Sequence, residues 1–367
     1  MIPVGGSGGV LPALWLRRLR LRDFRCHRRL EQEFSPGINL ICGANGSGKS
    51  SLLEAVHLMV CGVSFRRSRV RDLLRWGAQR YQVRGHWQRF GVLHVTVEGD
   101  RLRTMIALQG RALARRSDLQ EQLALVADSP QGDPLVDGDP RARRRWLDRL
   151  VMAVAPQVAP CYHHYYRALL QRSRLVRQQQ GGGAGLAAWN VQMVRAGRRW
   201  MEVRAAVVAR INRLLADEAW VGAPLVVRLR ESAPPEDGTW LELLETAARP
   251  LRVGPHCDAI ALQRGGREVR TCGSHGQQRV AAVALRLAES ALRAEQRGIQ
   301  PLMMLDDCFT ALDRSWRIRL TDRLAAYPGQ VLLTAPDDAL CADVLPKDAS
   351  ILRLDAEACR TKDGTDG

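Results

Sequence analysis

Lysine is nearly missing from this chain: of 367 residues only Lys49, Lys347 and Lys362 carry it, so 55 − 3 = 52 of the basic residues are arginine. Long apolar runs are missing too. No window approaches 18 consecutive apolar residues, which excludes a membrane-spanning helix. Nor do the basic residues line one amphipathic helix of the kind that lies on a bilayer, so no membrane partner is expected. The nine cysteines stand at least 15 residues apart, with no Cys-x-x-Cys pair and no zinc pattern. They read as scattered small hydrophobes of a reducing compartment, and a cytoplasmic protein is expected. Residues 1–13 lack a basic stretch before their modest apolar run, which argues against a secretion signal. A flexible leader is expected there, and a flexible tail over 357–367. What the chain has in excess is positive charge: the net of +17 points to a polyanion, with nucleic acid favoured over membrane.

Against a background of arginine, one lysine stands out. Gly43-Ala44-Asn45-Gly46-Ser47-Gly48-Lys49-Ser50 has the spacing of a phosphate-binding loop. An apolar strand, Gly37-Ile38-Asn39-Leu40-Ile41-Cys42, precedes it. After it Leu52, Leu53, Ala55, Val56, Leu58 and Met59 recur at helical spacing. In a strand–loop–helix of this order the backbone N–H groups, up to Ser51, face nucleotide phosphates. Lys49 reaches the β and γ oxygens, and the Ser50 hydroxyl holds Mg²⁺. A slim ammonium enters a phosphate cage too tight for a guanidinium fork, a reason to keep lysine there.

Leu16, Leu19 and Leu21 among Arg17, Arg18, Arg20 and Arg22 predict a first strand with one basic face. Residues 81–109, with short valine-rich runs joined across Gly99-Asp100, predict an antiparallel layer. From Arg141 to Arg213 the period turns helical, broken by Gln178-Gln179-Gln180-Gly181-Gly182-Gly183. Those 73 residues hold 15 arginines against Asp148 and Glu202, a net of +13. Phosphate-backbone binding is the preferred use of that charge, against the alternative of a solvated helix face. After residue 226 strands and helices alternate again. The expected division is an α/β ATPase lobe over 14–138 and 222–356, with a helical, DNA-binding lobe inserted over 139–221.

An apolar strand, Pro301-Leu302-Met303-Met304-Leu305, runs into Asp306-Asp307. Asp306 would orient Mg²⁺ through its water, and Asp307 would polarise the water that attacks the γ-phosphate, making it the catalytic residue. Ser274-His275-Gly276-Gln277-Gln278 opens a helix and makes a second anion-binding terminus, although one chain holds one γ-phosphate. A second site suggests a second subunit: in ABC-type ATPases such a signature closes on the nucleotide of the other subunit, and ATP joins a head-to-tail dimer. The fold expected is therefore α/β, an ABC-type P-loop ATPase head with an antiparallel layer, an inserted helical lobe and no long coiled coil.

These residues, with Asp23-Phe24-Arg25, Gly62-Val63-Ser64-Phe65-Arg66, Asp139-Pro140, Arg143-Arg144-Arg145-Trp146-Leu147-Asp148, Leu170-Gln171-Arg172-Ser173, Trp189 and Gly254-Pro255-His256, make the sequence similar to the RecF family over nearly its whole length. The resemblance implies an ATP-driven homodimer, slow DNA-stimulated ATP hydrolysis acting as a conformational switch, and binding to double-stranded DNA at gap junctions. It implies work with RecR and RecO that helps RecA replace single-strand-binding protein in repair and replication. It also implies DNA contacts by Arg143, Arg144, Arg145 and Arg172, a contact of Asp313 across the dimer, and Thr334 against the γ-phosphate where many relatives have histidine. The sequence departs from the family pattern at His275, Cys257 and Ala259. Gln79, Gln82 and Gln88 are all candidates for the Mg²⁺-liganding glutamine. The rival readings are the cytosolic subunit of an ABC transporter, disfavoured by the basic helical lobe, and an SMC-type chromosome protein, disfavoured by the lack of a heptad arm.

Overall fold

The computed structural model describes residues 14–66, 68–129, 131–132, 134–178, 184–247, 253–337 and 343–355. The expected leader and tail, and most of the glutamine–glycine break, lie outside the described residues. The chain divides into two compact units, Met1–Asp133 with His275–Gly367, and Pro134–Ser274.

In the first unit, β1 (Trp15–Phe24) alternates over its middle, where Leu19 and Leu21 are buried and Arg20 and Arg22 exposed, while Leu16 and Phe24 are buried out of phase with them. A tight turn leads to β2 (His27–Glu33), then β3 (Ile38–Cys42), whose five residues are all buried. α1 (Lys49–Cys61) begins at Gly48 (φ +91°) and stops at Gly62 (φ +69°), whose N–H donates to the Leu58 carbonyl. β4 (Tyr81–Gln88), β5 (Val92–Gly99), β6 (Thr104–Leu108) and β7 (Arg111–Ala112) complete an antiparallel sheet ordered β2-β1-β4-β5-β6-β7. α2 (Arg116–Gln122) and β8 (Leu125–Asp128) follow.

The second unit opens with α3 (Pro140–Val154), where Asp139 caps by accepting from the Arg141 N–H at 2.6 Å and Pro140 takes the first turn. α4 (Ala159–Arg177), α5 (Ala184–Ala216), β9 (Leu225–Arg230), α6 (Asp237–Thr246), β10 (Ala259–Arg264), β11 (Arg267–Glu268) and the single turn α7 (Val269–Cys272) complete it. Its core joins Tyr165 and Ala168 of α4, Met193 and Met201 of α5, and Trp240 and Leu244 of α6. Here the structure corrects the expected boundaries. Residues 222–274 belong to this unit and not to the ATPase lobe, because β9 and β10 form a separate sheet ordered β11-β10-β9. Asn212 of α5 fastens that sheet, exchanging both of its amide bonds with the Val227 backbone at 3.0 and 2.8 Å.

The chain returns to the first unit through α8 (His275–Arg297), β12 (Leu302–Leu305), α9 (Arg314–Ala325), β13 (Val331–Ala335) and β14 (Ser350–Arg353). These strands build a parallel sheet ordered β14-β3-β13-β12-β8, whose central members are buried throughout and apolar except for Asn39 of β3 and Thr334 of β13, since both faces are covered. α1 joins the core between the two sheets: Leu52, Val56 and Met59 share one buried cluster with Leu19, Val83 and Val97 and with Met304 and Leu332. Each such side chain contributes roughly 1.5–3 kcal/mol on leaving water. The parallel order sets the loop after β3 beside the ends of β12 and β13.

Candidate nucleotide site

The loop between β3 and α1 is shaped by what its glycines must avoid. A Cβ on Gly43 (φ +154°) would meet the Leu354 carbonyl oxygen, and one on Gly48 would lie 2.5 Å from the buried His27 ring, so neither position takes a side chain without displacement. The N-terminus of α1 is thereby aimed into the loop. Lys49 folds over it, Nζ donating to the carbonyls of Gly43 (2.5 Å) and Ala44 (3.1 Å). Burial lowers the Lys49 pKa, and the nearby carboxylates of Asp307 and Asp306 act against that shift.

Asp306, at the end of β12, is buried and almost fully engaged. Its Oδ1 accepts from Ser50 Oγ (3.2 Å) and Thr334 Oγ1 (2.7 Å), and its Oδ2 accepts from Ser129 Oγ (3.0 Å). Asp307 stands in the left-handed region at φ +57°, an uncommon conformation for a residue with a Cβ. Two groups hold it there. Its N–H donates to Thr334 Oγ1 at 2.7 Å, and its carbonyl accepts from Arg279 at 2.6 Å; the same guanidinium also reaches the Asp306 carbonyl at 2.6 Å. The Asp307 carboxylate accepts from Thr310 Oγ1 at 2.5 Å. A glycine loop, an ammonium, and a hydroxyl–carboxylate pair 3.2 Å apart have the chemistry to hold a triphosphate and a hard divalent cation.

Similarities to known proteins agree with that chemistry. A family model described as an AAA domain matches residues 18–86. The DNA replication and repair protein RecF of Heliobacterium modesticaldum is 32% identical over 343 residues, 87% of this chain and 91% of the relative. The RecF of Magnetococcus marinus is 33% identical over 347 residues, with the same coverage of 87% and 91%. The chain belongs to the RecF family. Among solved structures, the recombination mediator protein RecF-ATPrS of the RecFOR pathway matches with a TM-score of 0.76 at 23% identity, over 94% of this chain and 99% of that one. The Smc head domain of Pyrococcus furiosus matches at TM-score 0.53 and 17% identity, over 90% and 92%. The fold is that of an ABC-type P-loop ATPase head with a helical lobe and, among the described residues, no long coiled coil.

For a RecF-family chain the expected residues fall into three groups. Lys49, Ser50, Asp306 and Thr334 come together, with Thr334 serving Asp306 and the Asp307 N–H from a buried position. Gly276 lies near the start of α8 against the Ala311 carbonyl, and Asp313 caps α9, accepting from the Trp316 N–H (2.9 Å) and Ser315 Oγ (2.8 Å). Ser274 immediately precedes α8 and Gln277 lies in its first turn.

Two of the four expected arginines contradict the expectation. Arg143 is buried and donates to the carbonyls of Ile260 (2.7 Å), Val136 (3.3 Å) and Gly138 (2.9 Å). Arg172 is 1% exposed and donates to Asn190 Oδ1 (2.9 Å) and the Leu244 carbonyl (2.7 Å). Neither guanidinium is available to DNA; both tie the second unit together. Arg144 is half-buried on the Asp258 carbonyl (3.0 Å), and Arg145 alone of the triplet is exposed.

Of the three candidate glutamines, Gln82 pairs with Glu98, Gln79 lies before β4 and Gln88 ends it, and no bond ties any of them to Asp306 among the described residues. Sequence reasoning missed Ser129, which bonds Asp306 and accepts from the Gln131 N–H at 3.3 Å, and gave no role to Arg279, which follows the Ser274–Gln278 signature. The signal for Ser129 was its place directly after β8, where the second unit is about to begin.

Proposed function

We propose that this chain is an ATP-dependent DNA-binding protein of recombination repair and replication restart. It takes ATP at residues 43–51, pairs with a second copy across the nucleotides, and closes on duplex DNA at single-strand gaps until hydrolysis releases it. The observation that carries this reading is the convergence of Ser50, Thr334 and Ser129 on the one carboxylate of Asp306, beside a glycine loop with a folded-back lysine. The names of the RecF relatives supply the replication and repair context.

Mg²⁺ fits this donor set. Among the described residues no group of three or more His, Cys, Asp or Glu converges as a metal cage. Ser50 Oγ and Asp306 would hold the ion together with phosphate oxygens, the usual arrangement for a cation that keeps most of its water. Asp307 polarises the attacking water, while Arg279 and Thr334 fix its backbone. Ser274, Gly276 and Gln277 present the start of α8 to the partner's nucleotide, and Asp313 links the two sites. The RecFOR pathway in the structural relative's name supports RecR and RecO as partners; RecA is the beneficiary, and the setting is the cytoplasm.

Sedimentation of the purified chain, with and without ATP and Mg²⁺ and with gapped or single-stranded DNA, tests the reading. The expected outcome is an ATP-dependent shift from monomer to dimer, with the dimer retained on gapped duplex. A monomer indifferent to both ligands refutes it.

A further inference from the structure

The outer face of the antiparallel sheet carries a charge pattern that the nucleotide site does not use. Arg20 stands directly opposite Arg84 across β1 and β4, and Arg22 directly opposite Arg29 across β1 and β2. All four are exposed. Like charges in facing positions destabilise a sheet, so two such pairs side by side oppose folding. Glu31 relieves Arg20 at 2.9 Å; no ion pair or hydrogen bond engages Arg22 or Arg84 among the described residues.

At one end the face runs into a cleft of about 700 Å³ lined by Arg22, Arg75, Arg80, Arg103, Gln82 and Asp23, among others. Its three acids, Asp23, Glu98 and Asp100, are each engaged, Glu98 by the Gln82 side chain. Asp23 accepts from Arg75 at 2.7 Å, and Asp100 accepts the N–H groups of Leu102 (2.8 Å) and Arg103 (3.0 Å), which hold its carboxyl below the ordinary aspartate range. Next to Arg75 in the chain, Trp76 is 90% exposed, a high value for so large an aromatic side chain.

We infer that this face is a nucleic-acid contact surface. The sugar–phosphate backbone of a duplex crosses Arg29, Arg22 and Arg84, and Trp76 stacks on a base left unpaired at the edge of a gap. The chemistry favours this partner on two grounds. Guanidinium groups spaced by the sheet, with few acids free to compensate them, suit a repeating anion. An exposed indole next in the chain to Arg75, which pairs with Asp23 alongside Arg22, offers the sequence-tolerant stacking platform of single-strand binders. The inference rests on the DNA-binding reading above and specifies where contact is made, in place of the buried Arg143 and Arg172.

Two variants test it, Arg22→Gln with Arg84→Gln, and Trp76→Ala, each titrated with blunt and gapped duplex from low to high salt. Removing two phosphate contacts lowers the slope of log affinity against log salt by about 1.8 and weakens both DNAs on the order of tenfold at physiological salt. Trp76→Ala weakens gapped duplex about tenfold and leaves blunt duplex unchanged. ATP affinity stays at the wild-type value, and the melting temperature of the double variant is equal or higher, since the opposed pairs are relieved. Wild-type protein that binds DNA alongside variants of unchanged slope and unchanged gap preference overturns this inference alone. Wild-type protein that binds neither DNA overturns the DNA-binding reading with it.

Discussion

Replacing Arg279 with methionine tests whether the backbone of Asp307 is held for hydrolysis. Methionine keeps most of the volume of the side chain and removes its charge and donors. The guanidinium gives bonds of 2.6 Å to the carbonyls of both Asp306 and Asp307, and pairs with Asp128 at 3.2 Å. Charge-assisted bonds of this kind contribute about 1.5–3 kcal/mol each. The arginine keeps 16% of its side-chain surface in solvent, so the lower figure applies, and the two carbonyls together amount to about 3 kcal/mol. The left-handed backbone of Asp307 costs about 1–2 kcal/mol, and in the variant only Thr334 opposes its relaxation. If the lost restraint is expressed in the transition state, turnover falls about 100-fold. Nucleotide affinity stays within about threefold, because residues 43–50 make no bond to Arg279 among the described residues. Single-turnover ATP hydrolysis and equilibrium nucleotide binding separate the two effects. In an Asp307→Asn background the Arg279 substitution should cost almost nothing further, since it acts through Asp307. Turnover within threefold of wild type, or full additivity in the double variant, refutes the reasoning.

Gly48→Ala combines a positive φ with a Cβ that would lie 2.5 Å from the His27 ring, so the loop must shift; ATP affinity is expected to fall about 30-fold by calorimetry, equivalent to about 2 kcal/mol. Unchanged affinity would show that the loop tolerates the displacement. Asp148, beside Arg204 and Asp258 in the second unit, has its carboxyl pushed up to about 6, chiefly by burial, with Arg204 pulling the other way. The folded chain therefore keeps this proton to higher pH than the unfolded chain. The stability it contributes is present below about pH 4 and is lost as pH rises to about 6, a change of about 3 kcal/mol. Denaturant melts at pH 4.5 and 6.5 should show that slope, and Asp148→Asn should flatten most of it; a variant with the wild-type slope would assign the titration elsewhere.

The glycine loop could be read from the sequence because its geometry is local. Strand, loop and helix are contiguous, and the positive φ of Gly43 and Gly48 is written in the residue type. The acidic strand end was legible for the same reason, and so was the alternation of β1. The role of Thr334 was not, because a threonine at a strand end says nothing of the carboxylate it will meet 28 residues back in the chain. The arginine runs of the second unit disclosed a sign of charge but not a direction. On α3, Arg143 turns inward onto three carbonyls while Arg145 turns out, and helical phase relative to a distant strand decides which. The segment 222–274 looked like more of the ATPase lobe, since strand patterning identifies a strand and not the sheet it joins.

The sequence by itself determined that this chain carries a loop of the phosphate-binding type and where: local backbone conformation and one lysine among arginines suffice, since neither depends on distant residues. Tertiary structure alone decided which groups complete the site. Ser50 meets Asp306 across 256 residues of chain, and Arg279 and Ser129 arrive from elements whose order in the sheet no local pattern encodes. It likewise decided which arginines remain in water, because burial is a property of what packs against a residue and not of the residue itself.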